Sequence, residues 1–237
     1  MKKNFISRIS AIALLFTLFV CCNAQSQQTE PAATGKRPGM GADPDRPVEG
    51  GGKFPDGWSV RTDLNKRTGA EPDASQVVFE IKGDGFRTSL GPASTFYNSS
   101  WMNRASDFVF AARLTQQKKP THPIAYGIYF GGKDLEKPEQ SYSYFMVRNT
   151  GEYLIKTRKG TETPVITNWT ANDAVVKEDE SGKQANTLSV QVKGNDVIFS
   201  INGKEVERKT KSDLPTDGLY GFRIDHNLDV DIDKIMR

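Results

Sequence analysis

With 237 residues, two cysteines and nearly balanced charge (32 basic, 29 acidic), the chain is long enough to bury its own core. It has no electrostatic footprint for nucleic acid or anionic lipid. The net +3 comes from Lys2, Lys3 and Arg8; from Gln25 onward basic and acidic residues are equal (32 − 3 = 29 against 29). Cys21 and Cys22 fall in the same N-terminal stretch, so the rest of the chain has neither a disulfide nor a cysteine metal site.

The opening MKKNFISRISAIALLFTLFVCCNA has a basic start and an apolar run from Ile9 to Val20, too short to span a bilayer. Cys22-Asn23-Ala24 puts small side chains before a cut at Gln25. Residues 1–24 are therefore predicted to be a cleaved signal peptide, with the protein secreted or periplasmic. The alternative is a lipoprotein signal acylated at Cys21 or Cys22, giving a lipid anchor to the cell envelope without a membrane span. Residues 25–53 are rich in Gly, Pro and Gln and poor in apolar side chains, the composition of a disordered leader.

From Phe54 onward, strand-length segments alternate with turns. The first is predicted over 76–82, followed by Gly83-Asp84-Gly85. Residues 107–117 place Phe108, Phe110, Ala112 and Leu114 on one face. Residues 123–132 do the same for Ile124, Tyr126, Ile128 and Phe130. Asn149-Thr150-Gly151 marks a hairpin. Leu188, Val190 and Val192, then Val197, Phe199 and Ile201, form two inner faces around Gly194-Asn195-Asp196, and Asn202-Gly203 turns the chain again. A last pair of strands lies within 218–235. The segment 170–184 holds no helix with an apolar face. With no βαβ rhythm, the expected fold is all-β: a two-sheet antiparallel β-sandwich over 54–237.

Asn202-Gly203, the glycine pair Gly218 and Gly221, Asp233 before Ile235, and the opening Asp56-Gly57-Trp58 carry a resemblance. Over roughly 55–237 the chain resembles the concanavalin A-like lectin/glucanase jelly rolls. It is nearest to bacterial exported 3-keto-disaccharide hydrolase-like and laminin-G-like domains. The resemblance implies a jelly-roll fold; the superfamily includes sugar binders, glycosidases and modules with no known ligand.

Three constellations are candidates for chemistry. Asp229, Asp231 and Asp233 share the i, i+2, i+4 spacing of the carboxylate strand in the superfamily's glucanases, which makes them the alternative catalytic set. Against that role, all three are aspartates, they lie at the C-terminal end and no tryptophan flanks them; a charged, solvated strand face accounts for the same pattern. Asp225, Asn227 and Asp229 offer oxygens for a structural calcium, the one cofactor considered. The aromatic and polar residues Tyr97, Trp101, Asn103, Arg104, Tyr142, Tyr144 and Trp169 suit sugar rings, whose C–H faces stack on aromatics. His122 and His226 each sit beside a turn, outside any spaced ligand set, and read as surface residues. The expected function is non-catalytic carbohydrate binding. A glycoside hydrolase and a structural or adhesion module are the alternatives.

Overall fold

The alternating segments become strands whose odd and even side chains face different surroundings. The computed structural model describes residues 44–64, 69, 73–103 and 107–237. The expected signal peptide, the leader up to residue 43, Cys21, Cys22 and Arg104 lie outside the described residues. In chain order the strands are β1 (Trp58–Thr62), β2 (Val77–Lys82), β3 (Gly85–Leu90), β4 (Ser94–Asn103), β5 (Phe108–Gln116), β6 (Ala125–Lys133) and β7 (Ser141–Arg148). They continue with β8 (Glu152–Lys159), β9 (Val165–Ala171), β10 (Gln184–Lys193), β11 (Asp196–Ile201), β12 (Lys204–Thr210), β13 (Gly218–Ile224) and β14 (Asp229–Met236). A 3-10 turn at Ala74–Gln76, capped by the Asp73 carboxylate, is the one helical piece among the described residues. No helix among them is long and apolar enough to cross a membrane.

All strand pairs are antiparallel. The first sheet runs β1-β4-β13-β6-β7-β8-β9 and the second β12-β11-β10-β5-β14-β3-β2. The two pack face to face, giving the expected sandwich. Phe110, Ala112 and Leu114 of β5, with Val190, Phe199 and Ile232 of neighbouring strands, face Tyr126, Ile128, Phe130, Phe145 and Phe222 of the first sheet. Each fully buried side chain of this kind contributes about 1.5–3 kcal/mol through removal from water. Asn202 and Gly203 both have positive φ (51° and 80°), the geometry that joins β11 to β12 in a two-residue turn.

Trp101 departs from its expected role. It is 7% exposed and packs inside, 4.8 Å from Trp58 between ring centroids and in contact with Phe110 and Phe222. The cause lies in β4. Phe96 also faces inward, so inward-facing positions change parity between residues 96 and 101. Pairing with β13 breaks over the same stretch: Gly221 opposes Tyr97, whereas Leu219 opposes Met102. Extra residues in one strand turn the following side chains to the other face. Trp101 is thus a core residue, turned away from the outer face of its sheet.

Residues 44–53 also differ from the expected free leader. Arg46 Nε donates to the Leu90 carbonyl at 3.1 Å and Nη2 to the Leu228 carbonyl at 3.0 Å. The same guanidinium forms an ion pair with Asp229. Val48 N donates to Gln76 Oε1, and Gly52 N to the Val77 carbonyl, both at 3.0 Å. This stretch is a strap laid along β2, β3 and β14. Composition underrates such a segment, because a few fixed backbone and arginine bonds offset its ordering entropy where apolar burial does not.

Candidate functional site: the outer face of the first sheet

Side chains that point away from the core normally meet water. On the first sheet many do not. Ala125 and Tyr129 of β6, Tyr142, Tyr144 and Met146 of β7, and Leu154 of β8 form a second apolar cluster with Leu135, separate from the core. Tyr97 of β4, Leu219 of β13 and Trp169 of β9 pack against it while partly exposed. The strands β4 and β9 are five spacings apart in the sheet order, about 24 Å at the usual inter-strand distance. The sequence therefore places four of its seven proposed ligand residues on one face. Tyr142 is fully buried there as a support, so Tyr97, Tyr144 and Trp169 are the aromatic groups nearest to solvent.

Charged groups punctuate the apolar surface. Arg223 of β13 is 6% exposed; it forms an ion pair with Asp63, which also receives Arg158 Nη1 at 3.4 Å. Arg223 Nη1 donates to Thr95 Oγ1 at 3.2 Å, and that hydroxyl lies 3.4 Å from the Tyr142 hydroxyl. Burial alone would raise the Asp63 pKa, but Arg223 and Arg158 outweigh it and hold the carboxyl below its ordinary value. Asp225, which accepts from Ala125 N at 3.2 Å, moves the other way: burial pushes its carboxyl up against the pull of Arg223. Burial likewise raises the Tyr129 and Tyr144 hydroxyls, so both stay protonated. At the β9 edge the Arg148 guanidinium lies 4.4 Å over the Trp169 ring and is fixed by Glu152, whose Oε2 accepts from Nε at 2.7 Å.

Gly221 shapes this face. A methyl group built there would stand 2.2 Å from the Phe96 carbonyl oxygen and 3.0 Å from the Tyr129 ring. Gly221→Ala is expected to lower stability by about 1–3 kcal/mol, measured by urea unfolding, and to displace the Tyr129 ring. A cost below 0.5 kcal/mol, on the order of an ordinary surface change, would mean that the ring is not held there.

Asn103 is elsewhere. It is buried, donates to the Thr216 carbonyl at 3.3 Å, and lines an open recess of about 590 Å³ with Met102, Lys133, Asp134, Glu136 and Leu219. The Leu135 carbonyl, in the loop after β6, accepts from Arg61 Nη1 at 3.4 Å.

The β14 aspartates lie on the second sheet, pointing outward. Asp229 meets Arg46, Ser89 Oγ and, at 3.0 Å, Lys118. Asp231 accepts from Lys82 at 2.6 Å and Arg87 at 2.5 Å. Asp233 accepts from Arg113 at 2.7 and 2.6 Å. Register explains the partners: Asp231 stands opposite Arg87 on β3, and Asp233 opposite Arg113 on β5. Burial would raise Asp229, but Arg46, Ser89 and Lys118 hold it at about 2; Asp231 is lowered in the same manner by Arg87 and Lys82. A glycosidase pair needs one carboxyl kept protonated as the acid, and the electrostatics at Asp229 and Asp231 oppose that. The oxygens considered for calcium are engaged too. Asp225 accepts from Ala125 N, and Asn227 Oδ1 accepts from Arg46 N at 2.7 Å. Among the described residues no group of three or more His, Cys, Asp or Glu side chains is arranged to hold a metal ion.

No family model and no curated protein matches this sequence. Solved structures do. A carbohydrate-binding module, CBM66 from Bacillus subtilis, aligns over 76% of this chain and 93% of its own, with 12% identity and a TM-score of 0.53. A GH16 protein of the Bacteroides ovatus mixed linkage glucan PUL aligns over 78% and 97%, with 13% identity and a TM-score of 0.51. A glycoside hydrolase family 16 endo-glucanase from Bacteroides ovatus aligns over 78% and 97%, with 14% identity and a TM-score of 0.51. At these identities the likeness is one of fold alone: the chain is a two-sheet antiparallel β-sandwich of jelly-roll form, the fold its sequence leads one to expect.

Proposed function

We propose that this protein is an exported carbohydrate-binding module and that the outer face of its first sheet is the binding surface. The observation that carries the reading is the gathering of Tyr97, Tyr144 and Trp169 on that one face. Arg148, Arg158, Asp63 and Asp225 are set among them as polar anchors. The partly exposed rings of Tyr97 and Trp169 offer stacking surfaces, with the buried Tyr144 ring packed behind them, and fixed charged groups offer hydrogen bonds to hydroxyls. The fold it shares with the Bacillus subtilis module is consistent with this use. Residues 1–24 would serve as the export signal; N-terminal sequencing of the exported protein should begin at Gln25, and an acylated Cys21 or Cys22 would replace secretion by a lipid anchor.

Calorimetry against a panel of oligosaccharides is the test. Trp169→Ala and Tyr97→Ala should each weaken binding about tenfold or more, equivalent to at least ~1.4 kcal/mol, with the circular dichroism spectrum unchanged. Binding unaffected by both substitutions, or no binding across the panel, would defeat the proposal. A catalytic reading has one point in its favour, since burial favours the protonated form of Asp225 on the same face. Release of reducing sugar by the protein, abolished in Asp225→Asn, would replace binding by hydrolysis.

A further inference from the structure

The chain has only two histidines, and the fold brings them together. His122 lies in the loop between β5 and β6, His226 in the loop between β13 and β14. Their Nε2 atoms are 3.2 Å apart, with ring centroids at 5.2 Å and planes inclined by 58°. The other nitrogen of each ring is also engaged. His226 Nδ1 stands 3.2 Å from Asp45 Oδ1, and His122 Nδ1 stands 3.1 Å from Thr121 Oγ1.

These partners constrain the protons. A carboxylate at His226 Nδ1 calls for an N–H there, which leaves the lone pair of the neutral ring on Nε2. That lone pair points toward the Nε2 of His122. Either His122 donates a proton to it, or both nitrogens present lone pairs to a shared cation. The spacing suits the second arrangement. Two imidazole nitrogens at 3.2 Å, each about 2.0–2.1 Å from one ion, subtend about 100° there, close to the tetrahedral angle. Asp45 occupies the position of the carboxylate that orients a metal-bound imidazole and fixes its tautomer.

The backbone on both sides is fixed in advance. Ile124 N, two residues after His122, donates to Asn149 Oδ1 at 3.1 Å. Asp225 N and Asn227 N, flanking His226, donate to the carbonyls of Ala125 and Gly91, each at 2.9 Å. Both imidazoles are partly exposed, so an ion can reach them. We propose that His122 and His226 form a two-histidine site for a divalent transition metal of the zinc or copper class, oriented by Asp45. Among the described residues no third His, Cys, Asp or Glu side chain is placed to ligate the ion alongside the two imidazoles; Asp45 reaches only the far nitrogen of His226. Water or an external ligand completes the coordination, which makes the site open rather than a closed structural one. The proposal is independent of the carbohydrate reading.

The test uses the whole chain with Cys21 and Cys22 alkylated, titrated with Zn²⁺ by calorimetry and with Cu²⁺ by electron paramagnetic resonance. One ion should bind per chain, with hyperfine coupling to two imidazole nitrogens. His122→Gln and His226→Gln should each weaken binding at least tenfold, and Asp45→Asn about tenfold with both nitrogens retained. As a check that needs no substitution, one equivalent of Zn²⁺ should shift or broaden the imidazole resonances of both histidines in the unaltered protein. Binding unchanged in both histidine variants, or imidazole signals that stay put at millimolar Zn²⁺, would reduce the pair to an N–H···N bond and overturn the proposal.

Discussion

Asp63→Asn should lower the unfolding free energy by about 3–4 kcal/mol, because it removes the main counter-charge of a buried guanidinium. Arg223 is 6% exposed, and its partners are the Asp63 carboxylate and Thr95 Oγ1, with the Asp225 charge nearby. An arginine does not shed its charge when buried. Without Asp63 it stays ionised and poorly compensated. The double variant Asp63→Asn/Arg223→Met should recover a large part of the loss, since two neutral side chains leave no uncompensated charge. Urea unfolding of the two single variants and the double one measures the coupling. A single-variant cost under about 1 kcal/mol, the range of an exposed pair, would show that water reaches Arg223 and that the face is wetter than its burial implies. The Asp63–Arg223 pair also bears on the proposed recognition surface, since Arg223 donates to Thr95, whose hydroxyl lies 3.4 Å from that of Tyr142 beneath it. Asp63→Asn should therefore weaken any oligosaccharide bound by the intact protein.

The strands legible in the sequence were those whose alternation is uninterrupted. Residues 108–114, 124–130 and 188–201 alternate cleanly, and their predicted inner faces point into the core, because period-two patterning depends only on local chain geometry. The sugar-stacking chemistry of Tyr97, Tyr142, Tyr144 and Trp169 is legible from residue type, and the sheet collects all four on one face. Trp101 departs from local alternation because its facing depends on an irregularity in β4 that is visible only in the pairing with β13. The histidine pair is not legible in the sequence for a related reason. Its members are 104 residues apart in sequence and meet only because β6 and β13 are neighbours in the first sheet. Nor does anything local to residues 44–53 announce their contacts, whose partners lie at Gln76, Leu90, Leu228 and Asp229.

That strap supplies the other large effect. Arg46→Ala should cost about 2–3 kcal/mol at neutral pH, since it takes charge-assisted bonds from a carboxylate and a donor from two carbonyls; for a domain of this size the melting temperature would fall by about 5–10 °C. A chain beginning at Phe54, where composition alone would start the domain, should lose at least as much. The pH dependence identifies the cause. Asp229 titrates at about 2 when folded, against about 3.9 in an unfolded chain. A depressed carboxyl contributes stability that is complete above its unfolded value and is lost as pH falls through its folded one, here worth about 2–3 kcal/mol. Arg46 supplies part of that depression, with Ser89 and Lys118 the rest. The stability gap between the intact chain and Arg46→Ala should thus be full at pH 7 and narrow between about pH 4 and pH 2. Asp225, whose raised pKa makes its ionised form a cost above that range, is present in both chains and cancels in the difference. A gap that stays constant down to pH 2 would assign the strap's effect to its bonds with the Leu90 and Leu228 carbonyls rather than to the ion pair.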